Sequence, residues 1–169
     1  MIDLIIGPVA EWLVKQGAEH IKESAQFRHS RLAIREAIYR EVRFNRALLD
    51  EVEIANTQNP NQASFLRSIA DEMNFSAFSH LENSYIPIRL FFDGPRPTIE
   101  EASDSQFHKW SNRLKNEAEW IERIYLRARI LRARWRSRNE AAHNPSSLYY
   151  VQWLMTQWIK QYQSKDEIT

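Results

Sequence analysis

The run Ile121-Glu122-Arg123-Ile124-Tyr125-Leu126-Arg127-Ala128-Arg129-Ile130-Leu131-Arg132-Ala133-Arg134-Trp135 decides the fold class. Ile121, Ile124, Ala128, Leu131 and Trp135 recur at steps of three and four, the spacing that stacks side chains on one face of an α-helix. The stretch is also longer than an ordinary strand. Upstream the same stripe takes in Trp110 and Leu114, so one helix is predicted from Thr98 to about Ala142, with or without a bend. Thr98 as N-cap, followed three residues later by Glu101, supplies its start signal.

Helical spacing also dominates on both sides of this run. Asn144 as N-cap and Pro145 at the first helical position open a last helix, which buries Leu148, Val151, Leu154 or Met155, Trp158 and Tyr162. A frayed tail is expected from Ser164. Before Thr98, residues 86–97 hold Pro87, Gly94, Pro95 and Pro97 and form a loop, pinned to the core by Leu90, Phe91 and Phe92. A helix over Gln62 to Tyr85 faces Leu66, Ile69, Met73, Ala77 and Leu81 inward. The first helix begins near Pro8 and ends near Ala55, with a break at Gly17 or Ser24 left open. Its second half carries the seam Ile38, Val42, Asn45, Leu49 and Val52, in which Asn45 is a buried amide that needs a partner. Setting register and supporting a functional site are its two readings. The expectation is an all-α bundle of four to five helices forming a single domain over residues 1–169.

Composition agrees. Apolar residues make up 43 % of the 169-residue chain and aromatics 12 %, enough to build a core and too much for a disordered segment. The absence of Cys excludes disulfide frameworks, thiolate catalysis and Cys-based zinc sites, and fits a reducing cytosol. Residues 1–14 are apolar but carry Asp3 and Glu11, too short and too charged to span a bilayer. The expected location is the cytoplasm, with membrane contact through Ile2, Leu4, Ile5 and Ile6 a weaker reading.

The net charge of +1 hides a local excess. Seven arginines fall between Arg123 and Arg138, with no acid from Arg123 to Asn139. At about 100° per residue they form two rows, Arg123, Arg127, Arg134 and Arg138 in one, and Arg129, Arg132 and Arg136 in the other. A long charged helix whose arginine stems cover neighbours accounts for any single one. The group as a whole points to a phosphate-rich partner, with Arg127, Arg134 and Arg136 as RNA-binding residues. Between the rows, Leu126, Ile130 and Ala133 make a second apolar strip suited to another copy of the helix.

The row leads into Arg138-Asn139-Glu140-Ala141-Ala142-His143. Arginine forks onto phosphate oxygens, and neutral imidazole moves protons near pH 7. The positive end of the helix predicted from Asn144, with guanidinium groups nearby, would keep His143 neutral. The run resembles the Arg-x4–6-His motif of HEPN domains, all-helical proteins that include many metal-independent RNases of toxin and phage-defence systems. The family favours a polar residue, often Asn, after the Arg, and Asn139 matches it. Many members carry Tyr two residues after the His, where this chain has Pro145, with Tyr149 and Tyr150 further on. The resemblance implies a catalytic set of Arg138, Asn139 and His143. His143 would act on the 2′-hydroxyl, Arg138 on the developing phosphorane charge, and Asn139 would orient the nucleophile or a phosphate oxygen. The products would be a 2′,3′-cyclic phosphate and a 5′-hydroxyl. It also implies a homodimer, and an antitoxin or regulatory protein as partner.

No cofactor or metal is expected. His20 and His29 do not share a helix face, His108 and Glu101 lack a third ligand, and His80 reads as a semi-buried core histidine. Trp153, Trp158, Tyr149 and Tyr150 have the chemistry to stack bases, but at helical spacing they also fit a core. The alternative function is a non-catalytic helical interaction protein that binds RNA or a protein through its Arg-rich helix.

Overall fold

The computed structural model describes residues 25–55, 62–99, 105–137 and 145–166. These form six α-helices: α1 Ala25–Ala55, α2 Gln62–Glu72, α3 Ser76–Asn83, α4 Ser105–Ser111, α5 Glu117–Ser137 and α6 Pro145–Asp166. A short 3-10 turn lies at Ile88–Leu90, and one isolated antiparallel bridge joins Pro95 to Asn116. The fold is all-α. By packing, the chain divides into two compact units. One takes the described residues through Glu41 together with Phe75–Asp93, and the other takes Val42–Asn74 together with Gly94 onward.

In the first unit, Phe27, Ile34 and Ile38 of α1 are buried, as are Phe78 and Leu81 of α3. The N-terminus of α3 has no cap from its own N-cap residue, Phe75. Glu41 serves instead, its carboxylate accepting the N–H groups of Ala77 at 2.7 Å and Phe78 at 3.3 Å. An anion on free amides at the positive end of a helix is the favourable arrangement. The loop after α3 is tied down by Phe91 and Phe92, which are buried as expected, whereas Leu90 is only partly buried. Arg35 donates to the Phe91 carbonyl at 2.9 Å and lies over the Phe92 ring, while Arg31 pairs with Asp93. Tyr85, just past α3, holds φ +57° although its side chain is 94 % exposed. A Cβ in that conformation costs roughly 1 kcal/mol, and the side chain returns little packing. Tyr85→Gly should therefore raise the unfolding free energy by about 0.5–1 kcal/mol in a denaturant titration.

In the second unit, the α1 seam is buried as its spacing predicts, at Val42, Asn45, Leu49 and Val52. The expected helix over Gln62 to Tyr85 is interrupted at residues 73–75, between α2 and α3. Asn45 explains the break. Its amide donates to the Asn74 carbonyl at 2.6 Å and accepts the Asn74 N–H at 2.9 Å, so it takes the groups a continuous helix would use. Leu66, Ile69 and Met73 are buried in this unit, and Ala77 and Leu81 in the other. Asn45→Leu should lower stability by about 2 kcal/mol by urea unfolding, because it strands both Asn74 groups.

The expected helix from Thr98 onward is also interrupted. Thr98 and Ile99 are not helical, α4 ends at Ser111, and α5 starts afresh at Glu117. Asn116 and Glu119 make a reciprocal cap. The Asn116 side chain accepts the Glu119 N–H at 3.0 Å, and the Glu119 carboxylate accepts the Lys115 N–H at 2.8 Å. Because of this break Trp110 leaves the buried stripe and is 39 % exposed, while Leu114, Ile121, Ile124, Ala128, Leu131 and Trp135 stay buried. The last helix starts at Pro145 as expected, and its hydrogen bonding runs past Ser164 to Asp166. Leu148, Val151, Trp158 and Tyr162 are buried, and so are both Leu154 and Met155.

Candidate functional site

The arginine rows of α5 face different partners. Arg132 and Arg136 turn toward α2, where Asp71 accepts from Arg136 Nε and Nη2, both at 2.7 Å. The acid missing from the local sequence thus comes from another helix. Desolvation and the neighbouring Arg136 draw the Arg132 guanidinium below its ordinary range, and Asp71 opposes them. It remains a cation at any physiological pH.

Arg127 and Arg134 lie seven residues apart, two turns along α5, and both line a cleft of about 140 Å³. The cleft is also lined by Trp110 of α4 and by Ser146, Ser147 and Tyr150 of α6. Arg134 donates to Ser147 Oγ at 3.1 Å. The Arg127 guanidinium lies over the Tyr150 ring, 5.6 Å from its centroid. Trp110 meets the Tyr150 ring nearly perpendicularly, at 5.1 Å between centroids. Two guanidinium groups and no carboxylate line the cleft. The first turn of α6 also lies there, and the positive end of a helix favours anions.

Two buried polar atoms at the cleft stand out. Arg127 Nε and the Tyr150 hydroxyl have no hydrogen-bond partner among the described residues. Burial pushes the Tyr150 hydroxyl above the usual phenol range, against the pull of Arg123 and Arg127. It therefore stays protonated, a donor at neutral pH.

Of the three expected RNA-binding residues, Arg127 and Arg134 come together in the cleft, and Arg136 is engaged by Asp71. The expected catalytic residues Arg138, Asn139 and His143 lie outside the described residues. In sequence they occupy the connection between Ser137, the last residue of α5, and Pro145, the first of α6. Of the aromatics weighed as base stackers, Trp158 is core and donates to Glu117. Trp153 packs among Phe107, Trp120 and Tyr150. The exposed ring in the cleft is Trp110, which helical spacing assigned to the core. Its signal in the sequence was Asn116-x-x-Glu119, a helix start that detaches Trp110 from the stripe of α5.

No family model, curated protein or solved structure matches the chain.

Proposed function

We propose that this protein is a metal-independent endoribonuclease of HEPN type, acting as a toxin or phage-defence effector, with Arg138, Asn139 and His143 as its catalytic set. The observation that carries the reading is the cleft. Arg127 and Arg134 meet the first turn of α6 there, and in sequence the Arg138 to His143 run stands one residue before Pro145, where α6 begins. Cationic side chains beside a helix N-terminus suit a polyanion, and a motif with phosphate-binding and proton-transfer groups adjoins it in sequence.

The chemistry follows from side chains alone. His143 removes the 2′-hydroxyl proton, the oxygen attacks the adjacent phosphorus, and Arg138 balances the charge gathered on the phosphorane. The 5′-oxygen leaves and takes a proton from water, the His143 imidazolium gives its proton to the hydroxide so formed, and a 2′,3′-cyclic phosphate remains. A second copy would pack on the strip of Leu126, Ile130 and Ala133, of which Leu126 is 53 % exposed and Ile130 also lines the cleft, so the partner would border the site. An antitoxin or regulatory protein would hold the activity in check. No helix among the described residues is long and apolar enough to cross a membrane.

The test is RNA cleavage by purified protein in EDTA, with product ends analysed. Cyclic phosphate and 5′-hydroxyl ends are expected. A folded protein that cuts no RNA across a broad range of sequences and conditions returns the chain to the non-catalytic RNA- or protein-binding alternative.

A further inference from the structure

We infer that the cleft between α4, α5 and α6 is a nucleotide subsite that receives one unstacked base of a single strand. The base lies against Trp110, the Tyr150 hydroxyl and Arg127 Nε face its polar edge, and Arg134 with Ser147 holds the adjoining phosphate. The inference rests on the RNA reading above and specifies which form of RNA the protein takes.

Three observations carry it. The first is the lining, which joins a half-exposed indole and the aliphatic side chains of Ile130, Leu131 and Val151 to two guanidinium groups and two serine hydroxyls, with no carboxylate. That set suits a ligand that is flat and aromatic at one end and anionic at the other. A purely apolar ligand would leave the guanidinium groups unused, and a bare phosphate would leave the indole unused. The second is the pair of orphaned polar atoms. Tyr150 is only 2 % exposed, yet its hydroxyl has no partner among the described residues, and Arg127 Nε is in the same position. A buried polar group left unsatisfied is costly, and both residues line the cleft with these atoms covered, so a ligand that displaces the cover and brings acceptors recovers free energy. Base edges supply such acceptors.

The third is size. A cleft of about 140 Å³ has room for a single base and none for a base pair. Bases in a duplex are also committed to stacking and pairing, whereas single strands present their faces. The Arg134–Ser147 hydrogen bond is exposed, so a phosphate oxygen can share it without any buried group being uncovered. Arg127 is held over Tyr150 by its stacking and orients the ring.

The experiment uses a labelled single-stranded oligonucleotide with a 2′-O-methyl backbone, which lacks the nucleophile and so separates binding from cleavage. Affinity for the full chain is read by fluorescence anisotropy, and thermal unfolding is recorded for every variant. Trp110→Ala should weaken binding about ten-fold, the effect of losing one stacked base. Tyr150→Phe, which removes one oxygen and its buried cost, should weaken binding several-fold without lowering the melting temperature. The annealed duplex should bind at least ten-fold more weakly than the single strand. Wild-type affinity in both variants, equal affinity for the duplex, or no binding of the single strand overturns the subsite. The two readings fail separately. Single-strand binding that depends on Trp110 without any RNA cleavage keeps the subsite and removes the nuclease. Cleavage that persists with affinity indifferent to Trp110 and Tyr150 does the reverse.

Discussion

Arg138→Ala and His143→Ala should each reduce RNA cleavage at least about a hundred-fold, with little change in thermal unfolding. The magnitude follows from what each group does. A positioned acid or base contributes about 10²–10⁴ in rate, and a donor aimed at developing charge contributes a similar amount. Because both act in one transition state, the double variant should be scarcely slower than either single one. Asn139→Ala, which removes an orienting group, should lose less. The binding of a 2′-O-methyl strand should survive all three substitutions to within a few-fold, since Arg127 and Arg134 remain in the cleft. The readout is initial cleavage rate in EDTA beside anisotropy on the uncleavable strand. Two single variants that retain full cleavage would assign the activity to other residues or to a contaminant.

The largest effect on stability is expected at Glu117. This residue is 1 % exposed at the start of α5, and its carboxylate accepts the Trp158 indole N–H at 3.1 Å and the Gly94 N–H at 3.3 Å. Its own backbone N–H donates to the Gly94 carbonyl at 2.9 Å. One side chain therefore joins α5, α6 and the loop before α4. Glu117→Ala removes the acceptor and leaves two donors facing a void, at roughly 1–3 kcal/mol for each stranded group. A loss of about 3 kcal/mol is expected in urea unfolding. Glu117→Gln should cost about half as much, because its oxygen still accepts one bond while its amide nitrogen opposes the other donor. If Glu117→Ala and Glu117→Gln unfold alike, the loss comes from the charge, since glutamine keeps the volume and one of the two hydrogen bonds.

Helix faces were legible in the sequence wherever a helix ran on. The seam from Ile38 to Val52 and the stripe from Ile121 to Trp135 are buried as spacing predicts, and the start at Pro145 is where its proline places it. Helix ends were legible only in part. Asn116-x-x-Glu119 is a readable cap that continuous periodicity overrode, and with it went the position of Trp110. The break before Ser76 had no local mark, because its cause is Asn45, 29 residues away, and its cap is Glu41, 36 residues from Ala77. At the candidate site, the sequence picked out Arg127 and Arg134 as cations for a phosphate. It named Tyr150 among the rings able to stack a base, but it did not foresee that Trp110 would join it in their cleft, or that Asp71 would claim Arg136.

By itself, then, the sequence determined that the chain is all-α and which residues each long helix buries, because that spacing depends on neighbours three and four positions apart. Folding in three dimensions was needed to settle where the helix before Ser76 divides, which arginines remain for a ligand and which aromatic rings share their cleft. Those outcomes depend on single polar side chains satisfying backbone groups and charges far along the chain, and such pairings leave no period in the sequence.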